Sequence, residues 1–514
     1  MSDTDVYGNA NTMSYGAGSA TSPSAETNSG GLALSMSYQS GQLSDVQSPQ
    51  WVSSSGAQGQ HVTYGYSGGQ LTSMTRGAGT TDAVTTTFGY SGTLMTGITA
   101  PSGRTWALGY DGAGRVTSMT SPVSGTAGQP GYTPAYTTQY TYGPGQTVVV
   151  AGAGTSAALT TTYTLDAQGQ ATSVTDGLGH TSRGSYDANH DILTSADANG
   201  NTTTNKYQYI GPNGAVGQLV EQDQPPIQAY SPQNGVLATP VITHSYDPTT
   251  HDLVATLKPE GGLTRYSYDG HHGVVATTEQ TTQQTCATTC ATTWQGTLTQ
   301  YDQYGERTST TDGRGVTVDQ SGVATPNSQV SVYTSHMAYD PQGDLTAQGT
   351  PPITTTLNGI TTTAPVTTSY TYDGDGNRQT MVSANGNTTT YGYDHLGRTT
   401  VMTLPAVTLF NNTTTQPVET TGYDPDGNAV RQTDANGHTT TSSYDPLGRL
   451  VAETNPVSGT TLMTYTADEL TAQQDPQGNV TGYGYDAAGR QVQTPTRRRG
   501  RCRRATTRPA TPWA

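Results

Sequence analysis

Three groupings in this sequence have the residue types that metal, redox or recognition chemistry uses. The run Asp373-Gly374-Asp375-Gly376-Asn377 imitates the first half of a calcium loop, in which alternating carboxylate and amide oxygens surround the ion. A complete loop needs Gly at its sixth position and Glu at its twelfth, where this chain has Arg378 and Ala384, so turn formation explains these Asp residues better than calcium does. Cys286 and Cys290 frame a CATTC segment with His271 and His272 upstream, but zinc ligands come as closely spaced Cys pairs and this spacing matches no such pattern. A local disulfide or two free thiols is the expectation. Trp51, Trp106 and Trp294 are candidate carbohydrate-binding residues, because an indole face can stack on a sugar ring; burial of the same rings between strands is the competing use.

The other histidines, among them His180, His190, His244 and His395, are scattered among turn residues without a partnered nucleophile. The chain has no P-loop, no GxSxG and no HExxH. The sequence therefore predicts no catalytic residue, no cofactor and no metal, and a protein that is not an enzyme.

The elements that would position any site come from composition and periodicity. With 63 Gly, 31% hydrophobic and 11% charged residues, the chain resembles disordered sequences. Its 32 Tyr argue otherwise, since Tyr together with Thr and Val favours pleated, half-buried surfaces, and with only 2 Phe the tyrosines must supply the aromatic packing. The net charge of −16 is dispersed over single Asp residues, which favours solubility and gives no reason to expect nucleic acid. No apolar run approaches the roughly 18 residues of a membrane helix, so no membrane insertion is expected. The first residues carry no secretory signal pattern, and three Cys are too few for a disulfide framework.

Tyr-Asp recurs eleven times, including Tyr110-Asp111, Tyr372-Asp373, Tyr393-Asp394, Tyr423-Asp424, Tyr444-Asp445 and Tyr485-Asp486. Tyr372 and Tyr393 stand 21 residues apart, as do Tyr423 and Tyr444, a period too short for a helix pair. In one unit, TTTSSYDPLGRLVAETNP, a Thr/Ser/Tyr run meets Asp445-Pro446-Leu447-Gly448 and leaves as Leu450-Val451-Ala452. Asp bonds its own backbone, Pro presets φ and Gly accepts the left-handed region, which predicts a β-hairpin closed by a type I turn and a bulge. A second turn, such as Asp434-Ala435-Asn436-Gly437, completes each unit. Stacked hairpins are then expected to bury the Tyr rows as a core. The longer Thr-, Pro- and Gln-rich stretches near 124–140, 210–240, 277–297, 320–335, 351–368 and 404–418 read as elongated hairpin loops.

The series YDxxGRxxxxTxPxGxxTxYxYD, seen from Tyr372 to Gly397 and from Tyr423 to Gly448, resembles the YD repeats of RHS proteins, as in bacterial toxin-complex and teneurin-like shells. The resemblance implies an all-β fold, an array of antiparallel β-hairpins forming a YD-repeat shell or a β-solenoid-like spiral sheet. It also implies a secreted or cell-surface location and, as partners, an enclosed effector polypeptide or surface glycans. Segment 1–31 is read as an N-terminal opening segment, partly irregular, 32–495 as the repeat array and 496–514 as an Arg-rich irregular tail. The closing segment and toxin domain of full shells are not recognisable here, so a partial, non-catalytic shell is expected, with a carbohydrate-binding adhesin as the alternative. The tail TRRRGRCRRATTRPATPWA reads either as a basic arm for phosphates or acidic surfaces or as an out-of-frame end.

Overall fold

The computed structural model describes residues 2–16, 21–49, 51–53, 56–123, 135–154, 158–211, 216–228, 237–259, 261–282, 292–357, 360–466, 469–485 and 491–498. Among the described residues thirty-nine strands share one sheet, in which strands consecutive in the array pair antiparallel. Five two-stranded ribbons accompany it. The expected all-β array of hairpins is the fold. The chain divides into two units, the first comprising residues 1–87, 163–174 and 181–419, the second 88–162, 175–180 and 420–514.

The Tyr-Asp hairpin has one geometry throughout. Strands Thr388–Tyr393 and Thr399–Thr403 pair Tyr391 with Met402 and Gly392 with Val401, and then the register shifts so that Tyr393 faces Thr399. Thr400 is the extra residue of a β-bulge. The same shift falls at the tyrosine of all eleven Tyr-Asp pairs. A bulge bends and twists its strand, so a bulge per repeat builds that distortion in at a fixed interval. Gly397, at φ +74°, occupies the left-handed position that closes the turn, where any side chain would be strained.

The array starts earlier than the sequence suggested. Strands Ser2–Thr4, Ala10–Tyr15 and Pro23–Thr27 join the main sheet within segment 1–31. The hairpins there lack a Tyr-Asp pair, but Asp5 and Asn28 bond the amides two or four residues on, as the Asp of a full repeat does, so the turns form without the signature. At the other end, the last strand runs Gln491–Arg498 and takes in the first residues assigned to the tail. The rest of the tail, the Cys286–Cys290 segment and Asp486 lie outside the described residues.

The two faces of the sheet differ. Along Val84–Ser91 the residues Val84, Thr86, Phe88 and Tyr90 are half-buried while Thr85, Thr87 and Gly89 are exposed. Among the described residues only Ala276, Val316 and Val451 are fully buried apolar side chains. The expectation that the tyrosines form a core is therefore corrected. Most of the described tyrosines are half-buried, and Tyr15, Tyr209 and Tyr304 are exposed.

The two edges differ as well. Tyr-Asp turns line one edge, and the long insertions all leave from the other. In the first unit these connect the strands flanking 48–60, 224–240, 283–291, 312–333, 350–366 and 404–417; in the second, 121–136 does the same. Except for 312–333, none of these stretches contains a single Asp, Glu, Lys or Arg. Five of the insertions form the short ribbons, among them Ile353–Leu357 with Ile360–Ala364 and Val407–Thr408 with Thr414–Thr415, the latter presenting a fully exposed Phe410 at its tip.

Candidate functional site

The repeating constellation is the Tyr-Asp turn itself. In the Asp394 turn the backbone carbonyl of Asp394 accepts from Gly397 N–H, closing a type I turn. Its Oδ1 accepts from Leu396 N (3.0 Å) and Arg398 N (2.9 Å), satisfying two amides that the hairpin bend would otherwise leave unpaired. Its Oδ2 accepts from Arg398 Nε at 2.7 Å and Nη2 at 2.6 Å, a forked charge-assisted pair. Thus the Asp and the Arg of YDxxGR form one cap, with the carboxylate divided between backbone and guanidinium. Asn377 and Asn428 supply the donor to Oδ2 where Arg is absent, and His180, His438 and Asn479 do so in the second turn type. Bonding to the Arg115 backbone and side chain holds the Asp111 carboxyl below the usual carboxylate range.

The tyrosine ties one repeat to the repeat before it. Tyr393 Oη donates to Arg378 O at 2.8 Å, and Arg378 is the residue paired with Tyr372 across the previous bulge. Likewise Tyr444 donates to Ala429 O, which faces Tyr423. The bond recurs from Tyr110 on Met95 O (2.6 Å) to Tyr485 on Leu470 O (3.0 Å). The guanidinium of the cap then lies over the ring of the following repeat, Arg115 over Tyr142 at 4.5 Å and Arg449 over Tyr465 at 4.4 Å. The sequence marked these residues as repeat-defining but gave no sign of the backward hydroxyl bond, which depends on strand register.

In the first unit, turns far apart in sequence meet edge to edge. Asn9 Nδ2 donates to Tyr304 O (2.7 Å), and the Tyr7 ring stacks on His271 with centroids 5.0 Å apart. Gly30 lies against Pro341 so closely that a Cβ there would strike the Pro341 carbonyl, and Gln342 Nε2 donates to Gly30 O. Ser48 Oγ donates to Asp375 Oδ1 at 2.5 Å, and His395 Nδ1 stands 2.6 Å from Asp82 Oδ2. Each contact joins an early part of the unit to a late Tyr-Asp turn, mostly through the two variable residues of YDxxG. Within the second unit, Ser102 N donates to Asp426 Oδ1 and Arg104 Nη1 to Asp445 O, both at 3.2 Å.

The calcium-like run is a turn of this kind: Asp373 Oδ1 caps Asp375 N and Asn377 N, and its Oδ2 takes Asn377 Nδ2. Among the described residues no group of three or more His, Cys, Asp and Glu is placed to hold a metal. His271 and His272 diverge, one stacked on Tyr7 and the other bonded to Asp252. The tryptophans occupy separate surroundings. Trp106, in the second unit, sits half-buried on the tyrosine face beside Leu108 and Tyr110. Trp294, in the first, carries the Arg265 guanidinium 5.6 Å from its ring and has Gly322 packed against its edge. Trp51 lies in strand Trp51–Ser53, and its side chain is outside the described residues.

The family model described as RHS Repeat matches residues 92–126, 372–406, 423–460 and 465–501. These four stretches of the chain are RHS repeats. Its fold is similar to that of TcdB2-TccC3 without its hypervariable C-terminal region, with TM-score 0.64 and 14% identity over 94% of this chain and 27% of that one. TcdB2-TccC3-Cdc42 (TM-score 0.61) and the Photorhabdus luminescens Tc holotoxin pore (TM-score 0.60) match at the same identity and the same coverage. The chain therefore spans about a quarter of the length of those structures and shares their shell fold. No curated protein matches it. No helix among the described residues is long and apolar enough to cross a membrane.

Proposed function

We propose that this RHS-repeat chain is a non-catalytic section of shell wall that encloses or presents an effector polypeptide, in a protein that acts outside the cell that makes it. The observation that supports this reading most is the fit of 94% of the chain to the toxin-complex shells, one of which is named with a further protein, Cdc42. Turn-to-turn contacts within each unit agree with it, since a wall gains from covering the polar edges of its own sheet. The caps also agree: their carboxylates are committed to backbone amides and guanidinium groups, which suits a wall and not a catalyst. A compact reporter protein fused behind residue 514 tests the proposal. It should resist protease many-fold longer than the same reporter free in solution, and equal cleavage rates would overturn enclosure.

A further inference from the structure

We propose that the edge-to-edge seam within the first unit is a proton-controlled closure, engaged while Glu306 and Asp344 keep their protons and released when these acids give them up. The geometry begins with the fifth position of the Tyr-Asp turn. Several repeats place Arg or Asn there, a donor for the Asp Oδ2, whereas three turns place an acid there, Asp191 after Asp187, Glu306 after Asp302 and Asp344 after Asp340, and the last two of these meet the N-terminal hairpins. Each of the last two acids lines a seam cavity. Glu306 and Asp340 face Asp3 and Asp5 of the first hairpin across a space of about 350 Å³, which Tyr304 also lines. Asp344 and Asp375 face Glu26 across an adjoining space of about 480 Å³. No lysine or arginine lines either cavity among the described residues.

Burial, then the charges of Asp302, Asp340 and Asp344, raise the Glu306 carboxyl above its usual range; burial, then Asp340 and Asp373, do the same to Asp344. Acids raised in this way stabilise the closed seam at low pH and cease to do so as pH rises through their folded values, where adjacent carboxylates begin to repel. Farther along the same seam, His395 Nδ1 and its backbone N both reach Asp82 Oδ2. The His395 hydrogen bond is the main cause of a lowered Asp82 carboxyl, with Arg398 adding to it and Arg398 itself held by Asp394. That contribution is present above the ordinary Asp range and is lost only when strong acid protonates Asp82. The Glu306 and Asp344 end of the seam therefore weakens as pH rises from mildly acidic to alkaline. The corresponding contacts in the second unit use the Arg104 guanidinium, which reaches Asp426 and the Asp445 carbonyl.

Hydrogen exchange of the full chain, followed by mass spectrometry at several pH values and corrected for the intrinsic pH dependence of amide exchange, decides the matter. Protection of segments 28–31, 302–306 and 340–344 should fall at least about tenfold between mildly acidic and mildly alkaline pH, while segment 100–104 holds steady. The isosteric double variant Glu306→Gln with Asp344→Asn should keep those segments protected at alkaline pH. Thermal melts of this variant check that the fold is retained. Protection that does not change with pH, a change shared equally by segment 100–104, or an unaltered pH profile in the double variant would each overturn the proposal. None of these readings depends on whether a cargo is enclosed, so failure of the shell reading leaves the result distinct.

Discussion

Two turns of nearly identical backbone, Asp445 to Arg449 and Asp340 to Asp344, show how much one position changes in this array. Both carry Asp, Pro and a closing Gly, and in both the first Asp caps amides two and four residues on. At Asp445 the fifth residue is Arg449, whose Nε and Nη2 lie 2.8 and 2.7 Å from Oδ2, and the carboxylate is completely buried. At Asp340 the fifth residue is another carboxylate, and the turn opens onto an acidic cavity. The hairpin geometry is thus set by the amide caps, while the fifth residue decides whether the turn is a closed structural joint or a charged, titratable one.

The largest effect expected from breaking this comparison comes from Asp445→Ala. It strands Arg449 and two backbone amides at once and should cost about 3 kcal/mol, read as a lower denaturation midpoint with the loss centred on strands Thr439–Tyr444 and Leu450–Thr454. Less damage is expected from Tyr393→Phe, which keeps the ring but leaves the Arg378 carbonyl without its hydroxyl donor. A loss of about 1 kcal/mol should appear in chemical denaturation, and no loss would remove the hydroxyl bond from the account of register. The smallest change sharpens the comparison from the other side. Asp344→Asn gives Asp340 the amide donor that Asn377 gives Asp373, and should stabilise the chain by about 0.5 kcal/mol at neutral pH. Because burial and neighbouring carboxylates raise the Asp344 carboxyl, that gain should fade as the pH is lowered and the native carboxyl takes up a proton, which thermal melts across pH would show.

Much of the hairpin was legible in the residues. Asp445-Pro446-Leu447-Gly448 specifies the turn through local bonds, so sequence suffices, and the uncharged stretches such as 404–417 announce themselves as insertions by losing the Tyr-Asp period. The start of the array was missed because Asp5 and Asn28 cap their turns without a preceding tyrosine signal. The Tyr-Asp spacing gives the positions of the rings along the array and not their exposure, and most of the described rings are half-buried. Bonds such as Ser48 to Asp375 join residues more than three hundred positions apart through the variable pair of YDxxG, and no local pattern encodes them. Trp51, Trp106 and Trp294 were singled out by residue type alone, whereas the surroundings of Trp106 and Trp294 are set by strand face and by the Arg265 side chain.

The backward bond of each tyrosine hydroxyl gives the array a direction in time. The acceptor, such as the Arg378 carbonyl for Tyr393, always precedes its donor in the chain. A polypeptide leaving the ribosome N-terminus first would present each docking point before the side chain that needs it. Growth by addition at one end, with every new hairpin fastened to a finished one, follows from the position of a single oxygen atom.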